Sequence, residues 1–147
     1  MGTLLDTTVF IQLERELRRL DTGRAMAEVG QRLVRELGAD EEVGMAAITA
    51  SELLHGVHRA DAQHRARREA FVETVISAFP PIPFDLLAAR VHARLWSDLA
   101  AGEMDVGAHD WLVAATAIAN GWRVATSNRE HYRRIESLVV VVPNLSA

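Results

Sequence analysis

Three carboxylate residues that are far apart in the sequence each occupy a place where a parallel β-sheet would bring them together. Asp6 directly follows the apolar run at 3–5. Glu52 lies about one helical turn beyond the apolar run at 43–48, and Asp110 opens a strongly apolar helical segment. Two like charges ~4 Å apart repel by about 4 kcal/mol at an effective dielectric constant of about 20, so such a cluster requires protons or cations. Hard oxygen ligands suit Mg²⁺ or Mn²⁺, whose usual partner is a phosphate.

Each of these residues also has a purely structural interpretation. Asp6 could cap the helix that follows it, and Asp110 could complement a helix dipole. Glu52 could be the capping-box partner of Thr49, three residues earlier. Thr126, which ends a later apolar run, could be an ordinary strand residue. The spacing alone therefore leaves the structural and the chemical interpretations open, and the surrounding sequence has to decide between them.

The composition excludes several kinds of chemistry. The chain has 147 residues, a formal net charge of −4 and no cysteine, and all 16 basic residues are arginine. A thiol nucleophile, a thiolate metal site, a lysine Schiff base and a Walker-type phosphate loop are therefore excluded. The negative net charge weighs against a simple basic nucleic-acid-binding surface. The length predicts a single domain over residues 1–147, and no apolar run is long enough for a membrane span.

Short apolar runs alternate with longer segments of helical periodicity, which predicts an α/β sandwich with a mainly parallel sheet. The predicted strands cover residues 3–5, 43–48, 82–84, 123–126 and 138–142. The predicted helices cover residues 9–20, 22–37, 49–60, 62–79, 85–99, 109–121 and 130–135. Proline in the third strand places it at an edge of the sheet. Ligands of such sheets bind outside the carboxyl ends of the strands, where Asp6, Glu52 and Thr126 would meet.

Four segments carry the candidate residues in a fixed order, namely 4–11, 48–57, 109–117 and 124–132. The first is an apolar strand followed by Asp-Thr-Thr, and the second is a helix that bears a glutamate. The third reads Asp-Trp-Leu-Val-Ala-Ala-Thr-Ala, and the fourth contains Thr-Ser-Asn. Together they resemble the PIN domain family, and specifically its VapC-type toxin ribonucleases. The resemblance covers nearly the whole chain and implies a three-layer α/β/α sandwich.

The resemblance also implies an activity, that of a metal-dependent ribonuclease toxin that cleaves RNA phosphodiester bonds. The family's acidic metal-binding positions are matched by Asp6, Glu52 and Asp110. These residues are expected to bind Mg²⁺ or Mn²⁺. Thr7 or Thr8 is expected to support Asp6 by hydrogen bonding, and Thr126 is expected to do the same for a carboxylate or a metal-bound water.

The fourth acidic position is where the chain departs from the family pattern. His131 stands where family members often carry an aspartate. The alternatives for this position are Asn128, which is a neutral oxygen ligand, Glu130, which is shifted by one residue, and Asp105, which lies in a predicted loop. We expect Asn128 to be a catalytic residue. Since a fourth carboxylate is missing, one metal ion, or a second one recruited with the RNA, is expected.

Arginine is concentrated in two clusters that could contact RNA. Four arginines and one acid give each cluster a local charge of +3, and the members are Arg59, Arg65, Arg67 and Arg68 with Asp61, and Arg123, Arg129, Arg133 and Arg134 with Glu130. The second cluster is predicted to lie beside the edge that carries Thr126. Arg129 and Arg133 are therefore expected to contact phosphates, for which the guanidinium group is well suited. The alternative is that both clusters are solvated helix faces.

Partners are implied by the resemblance alone. A small VapB-type antitoxin is expected to neutralise the chain by wrapping around it, and an apolar groove between the first and third helices could receive it. A homodimer and a toxin–antitoxin hetero-oligomer are also expected from the resemblance, whereas the lack of cysteine and of an export or membrane signal predicts a cytoplasmic location without membrane association.

The sequence also has three alternative functional interpretations. A non-catalytic PIN-like module that only binds RNA is the principal alternative. A histidine-based metal enzyme is disfavoured, because Glu52 and His55 lack a second Glu-x-x-His copy. A dehalogenase-like phosphatase is disfavoured because Thr8 stands where a second aspartate is required and the chain has no lysine.

Overall fold

The computed structural model describes residues 1–19, 25–99 and 106–146, and it shows an α/β fold. Strands are β1 (Gly2–Leu5), β2 (Glu42–Ala46), β3 (Pro81–Ile82), β4 (Arg123–Ala125) and β5 (Val140–Val141). Helices are α1 (Thr7–Arg19), α2 (Ala25–Leu37), α3 (Ala47–Arg59), α4 (Arg65–Ala78), α5 (Leu86–Leu99) and α6 (Ala108–Ala119), followed by a 3₁₀-helix (Arg129–Tyr132). Leu20 and Thr22, which are predicted to lie in helices, and Asp105, a candidate for the fourth site position, lie outside the described ranges.

The five strands form one sheet in the order β3-β2-β1-β4-β5, and every pairing is parallel. This confirms the predicted parallel sheet. In the register, Leu5 of β1 lies opposite Ala125 of β4, so the residues that follow these two strands emerge side by side. The carboxyl ends of the central strands therefore form one edge, and Asp6 and Thr126 stand on it.

Apolar residues of the sheet point alternately to two cores, as the two-residue period of a strand requires. Leu5, Met45 and Ala125 pack against the first four helices. Their neighbours Leu4 and Val124 pack on the opposite face against α6 and the segment after β4. The sheet is thus covered on both faces, which confirms the three-layer sandwich.

Helix α3 begins directly after β2, and this corrects the predicted capping box. Ala46 is the extended residue before the helix, and it makes no side-chain cap hydrogen bond. Thr49 is a buried helical residue whose hydroxyl has no hydrogen-bond partner among the described residues. Ile48, predicted to end the strand, belongs to the helix. Glu52 consequently lies in the second turn of α3, where its side chain is free of a capping role.

The two outermost strands of the sheet, β3 and β5, are short. The third strand does lie at an edge, as its prolines predicted, and it has only two residues. The last strand is predicted over 138–142 but pairs only at Val140 and Val141. The pairing is short because β4 itself has only three residues, of which Val124 and Ala125 lie opposite Val140 and Val141, and Pro143 follows.

The C-terminal segment is anchored to α2 by Arg32, whose side chain is almost completely buried. Its Nη1 donates to the backbone oxygen of Leu145 at 2.8 Å, and Leu145 itself is buried in the core. The same guanidinium pairs with Glu16 of α1 at 3.6 Å and with Glu28 at 3.1 Å. One cation therefore ties together α1, α2 and the last residues of the described chain.

Trp122 packs across β1 at a position that has no side chain. A Cβ atom added to Gly2 would lie 1.9 Å from Cε2 of Trp122. We therefore expect Gly2→Ala to displace the indole and to lower the free energy of unfolding by about 1–3 kcal/mol, the usual cost of overpacking. Urea unfolding monitored by tryptophan fluorescence measures this.

The matched control for that substitution is Gly30→Ala in α2, where an added Cβ meets no atom within 4 Å. Alanine is favoured over glycine inside a helix by up to about 1 kcal/mol, so this variant is expected to be as stable as the wild type or more stable. Equal stability of both variants would contradict the packing described for Gly2.

In the part of the chain that the structure describes, none of the helices combines the length and the hydropathy that a bilayer crossing requires.

Candidate active site

Asp6 stands at the point where β1 ends, and the structure holds it rigidly. Its backbone N–H donates to the oxygen of Ala125 at 3.0 Å, and its side chain is only 3% exposed. Oδ1 accepts hydrogen bonds from the backbone N–H of Thr8, at 2.9 Å, and from the hydroxyl of the same residue. Oδ2 accepts a hydrogen bond from the hydroxyl of Tyr132 at 3.2 Å. Three hydrogen bonds therefore hold the carboxylate in one orientation.

Glu52 reaches the same edge from α3. Oε1 accepts a hydrogen bond from the hydroxyl of Thr7 at 2.9 Å, and Oε2 lies 3.5 Å from Nδ1 of His109. The two threonines after Asp6 therefore have different partners: Thr8 donates hydrogen bonds to Asp6, and Thr7 donates one to Glu52. The sequence left open which of them serves Asp6.

Asp110 lies in the first turn of α6, as predicted, and faces the other two carboxylates. Burial raises its pKa, and the negative charges of Asp6 and Glu52 raise it further. His131, whose Nδ1 lies 3.8 Å from Oδ2, acts in the opposite direction. The three carboxylates are thus close enough to act on one another electrostatically.

A cavity of about 530 Å³ opens between α1, α3 and α6, and all three carboxylates line it. Its wall also contains His109 and His131. The donors are hard carboxylate oxygens, a set that suits a hard divalent cation. Among the described residues, however, no three histidine or carboxylate side chains stand close enough together to enclose an ion as they are placed.

Thr126 and Asn128 are not among the residues that line the cavity. Thr126 is completely buried, and its hydroxyl lies 3.2 Å from that of Thr8, the residue that supports Asp6. Asn128 begins the 3₁₀-helix, because its Oδ1 accepts a hydrogen bond from the backbone N–H of Glu130 at 3.2 Å. Both residues therefore order the loop after β4, and neither is placed against the three carboxylates.

Of the candidates for the fourth position, His131 is the one that lines the cavity. Asn128 Nδ2 lies 2.9 Å from its Nε2, and since the amide nitrogen can only donate, Nε2 accepts. The ring proton of the neutral form is then on Nδ1, which faces Asp110. Glu130 is exposed and pairs with Arg133 at 3.4 Å. Asp105 lies outside the described residues.

The second arginine cluster is split between opposite ends of the sheet. Arg123 begins β4 and donates to Thr3 Oγ1 at 2.8 Å, with Glu41 at 3.5 Å. It therefore lies at the amino edge, far from the cavity, which corrects its predicted place beside Thr126. Arg129 and Arg133 do belong to the exposed 3₁₀-helix and the residue after it, on the same side as the cavity.

Tyr132 is the site residue that the sequence reasoning missed. It is 1% exposed, and burial together with the charge of Asp6 strongly raises its pKa, so that it remains a hydrogen-bond donor. The available signal was an aromatic residue one position after His131. A phenylalanine there would fill the same volume without supplying the hydroxyl.

Asp110 makes a pH-dependent contribution to stability. Because its pKa is raised, the folded state binds this proton more tightly than the unfolded state, so stability falls as pH rises through the window between the ordinary value of 3.8 and the raised value. Without divalent ions, Asp110→Asn is therefore expected to be more stable than the wild type at neutral pH, with a gap that closes on acidification.

Urea unfolding in EDTA at a series of pH values measures this difference, and Asp98→Asn on the exposed part of α5 is the matched control. A gap that widens on acidification would contradict the assigned sign.

The chain is similar to known proteins over most of its length. The family profile described as PIN domain matches residues 3–137. Ribonuclease VapC1 of Rickettsia felis is 33% identical over 142 residues, which are 96% of this chain and 96% of that protein. Ribonuclease VapC4 of Mycobacterium tuberculosis is 30% identical over 128 residues, or 87% of each chain.

Solved structures show the same fold. The crystal structure of VapBC2 from Rickettsia felis bound to a promoter DNA fragment aligns with a TM-score of 0.79 at 19% identity, over 98% of this chain and 100% of that chain. VapBC-5 from Mycobacterium tuberculosis, a member of the VapBC family of toxin-antitoxin systems, aligns with a TM-score of 0.68 at 26% identity, over 96% and 98%.

Proposed function

Because the chain belongs to the PIN domain family, with VapC ribonucleases among its relatives, we propose that it is a ribonuclease toxin that hydrolyses RNA phosphodiester bonds with a divalent cation, Mg²⁺ or Mn²⁺. The observation that carries the proposal is the convergence of Asp6, Glu52 and Asp110 on one cavity, where the first two raise the pKa of the third. Such mutual repulsion is what a bound cation would relieve.

The residues of the chain have distinct parts in this proposal. Asp6, Glu52 and Asp110 would hold the cation. When bound, the cation supplies an activated water and neutralises charge that develops on the phosphoryl oxygens. Thr8 and Tyr132 keep the Asp6 carboxylate in one orientation, and Thr7 does the same for Glu52. Fixed orientation matters, since a small misplacement of a catalytic group costs much of the rate.

We propose one resident cation rather than two. A second site would need the fourth carboxylate, and His131 occupies that side of the cavity with its Nδ1 directed to Asp110. Calorimetric titration with the cation tests this, and one site is expected for the wild type. His131→Asp, which supplies the fourth carboxylate, is titrated beside it for comparison. Two sites in the wild type would refute it.

The RNA would approach over the rim of the cavity. Arg129 is exposed and makes no ion pair among the described residues, while Arg133 is paired with Glu130 at the surface. Both are proposed to contact phosphates. Substituting them together should weaken RNA binding and flatten its salt dependence, because each phosphate contact releases counterions.

A VapB-type antitoxin is the proposed protein partner, since the similar solved structures are toxin–antitoxin complexes. A smaller cavity of about 130 Å³ lies between α1, α3 and α4, with Phe10, Leu53 and Phe71 among its apolar walls. It shares Ile11 and Glu52 with the acidic cavity, so an antitoxin segment in this groove would lead into the active site. The homodimer, the hetero-oligomer and the cytoplasmic location remain predictions.

A nuclease assay separates this function from the principal alternative, a module that only binds RNA. The purified chain is incubated with several structured RNAs in EDTA, in Mg²⁺ and in Mn²⁺. Cleavage that requires the divalent ion is expected. Binding without cleavage in all conditions would favour the non-catalytic module and refute the proposed enzyme.

A further inference from the structure

A second cavity, of about 360 Å³, adjoins the acidic cavity on the side of α1. It is lined by Thr8, Ile11, Gln12, Arg15 and Ser127. Thr8 and Ile11 also line the acidic cavity, so the two spaces are continuous. The volume lies in the range of roughly 300–1,000 Å³ that is typical of pockets for small ligands.

The pocket is built by one face of α1 and the loop after β4. Thr8, Gln12 and Arg15 are spaced four and three residues apart, so they form a row along the helix. At 1.5 Å per residue, Arg15 lies roughly 10 Å along the helix axis from Thr8. The backbone N–H of Ser127 donates to Thr8 Oγ1 at 3.0 Å, which fixes the loop against the helix. The two walls are therefore held at a defined separation.

The lining offers three kinds of contact. Ile11 is 50% exposed and provides an apolar surface between the two cavities. Gln12 has a buried Oε1 that accepts no hydrogen bond among the described residues. If the amide rotates toward the pocket, a ligand that donates a hydrogen bond to this oxygen would satisfy it. Arg15 is exposed and makes no ion pair in the described ranges, whereas Arg18 and Arg19 of the same helix each pair with a glutamate.

We infer that this pocket is a nucleotide subsite that holds the residue of the RNA next to the scissile phosphate, an inference that rests on the proposed ribonuclease function. Arg15 would contact the adjacent phosphate, because its guanidinium pairs with no carboxylate of the described residues. Gln12 would contact the edge of the base, because its amide both donates and accepts. Ile11 would pack against the sugar or the base face. The positive charge of Arg15 also offsets the negative charge that the RNA meets in the acidic cavity.

A binding experiment tests the phosphate contact. Fluorescence anisotropy of a labelled single-stranded RNA of random sequence is measured at several salt concentrations, with Asp6→Asn as the cleavage-deficient background. Arg15→Ala is expected to weaken binding about tenfold and to reduce the slope of log K against log salt by about 0.7. The matched control is Arg35→Ala on α2, which is exposed and away from both cavities. An unchanged slope for Arg15→Ala would overturn the phosphate contact.

A cleavage experiment tests the base contact. A random-sequence RNA pool is digested in Mg²⁺ by the wild type and by Gln12→Ala, and the new RNA ends are sequenced. Gln12→Ala is expected to flatten the base preference at one nucleotide beside the cut and to raise KM, with kcat within about twofold. Melting temperatures equal to that of the wild type establish that the surface variants fold.

The outcomes distinguish this inference from the function on which it rests. If the wild type cleaves the pool while Gln12→Ala and Arg15→Ala match it in preference, affinity and salt slope, the subsite is refuted and the ribonuclease stands. If the wild type cleaves no RNA, both fall. If the variants bind RNA normally but lose affinity for the antitoxin, the pocket is a protein-docking surface and the inference is wrong.

Discussion

Asp6→Asn is expected to reduce ribonuclease turnover by about 10³-fold, the order of loss seen when a preorganised charge-stabilising group is removed from an active site. The substitution keeps the shape of the side chain but removes its charge. In the wild type, Thr8 and Tyr132 donate hydrogen bonds to the two carboxylate oxygens of Asp6. In the variant, one of these donors would face an amide nitrogen, which cannot accept a hydrogen bond. Affinity for the divalent cation should fall together with turnover.

Two further measurements make this prediction specific. The pKa of Asp110 should fall in the Asp6→Asn variant, because the Asp6 charge is one of the causes that raise it. Carboxyl titration by NMR measures that shift. Asp98→Asn, an exposed carboxylate on α5, is the matched control and should cleave RNA at the wild-type rate. Asp6→Asn with more than about a tenth of wild-type turnover would argue against a catalytic role for Asp6.

Arg32→Ala is expected to lower the free energy of unfolding by about 3–5 kcal/mol, the cost of removing one partner of a buried ion pair. Arg32 is 8% exposed and Glu16 is 5% exposed, so the glutamate would be left with Arg19, at 3.5 Å, as its charged partner among the described residues. The variant also loses the hydrogen bond from Nη1 to the oxygen of Leu145. Urea unfolding at neutral pH gives the magnitude.

The same helix supplies the matched control for Arg32. Arg35 is exposed near the end of α2, and Arg35→Ala should change stability by less than about 0.5 kcal/mol, as is usual for surface substitutions. Replacing both Arg32 and Glu16 by leucine should recover much of the loss, because both charges of the buried pair are then removed. A loss below about 1 kcal/mol for Arg32→Ala would contradict the role of the ion pair.

The position of Asp6 could be predicted from the sequence because it depends on local pattern alone. An apolar run that ends in aspartate and continues as a helix places that residue at the carboxyl edge of a parallel strand. Glu52 was placed on the right edge, but the proposed capping box with Thr49 is wrong. The strand ends two residues earlier than hydropathy indicates, because helical and strand residues are equally apolar where a buried strand runs directly into a buried helix.

The parts of the site that could not be predicted depend on contacts between distant residues. The hydroxyl of Tyr132 reaches Asp6 across 126 positions of sequence, and no local pattern records that distance. Arg123 shows the converse error, because proximity in sequence to Thr126 suggested proximity in space. A strand separates its two ends, so a cation at its start lies on the opposite edge from a threonine at its end.

The anchored C-terminus has a consequence for how the chain behaves at high concentration. Residues 138–142 read Leu-Val-Val-Val-Val, a composition with strong β-propensity and no charge, and Val139 and Val142 are 63% and 46% exposed. Such a run at a sheet edge is a template for intermolecular strand pairing and aggregation. Here Pro143 interrupts it, and Arg32 holds Leu145 two residues further on. Because Arg32 anchors the segment that follows this strand, we expect Arg32→Ala to aggregate at a lower protein concentration than Arg35→Ala.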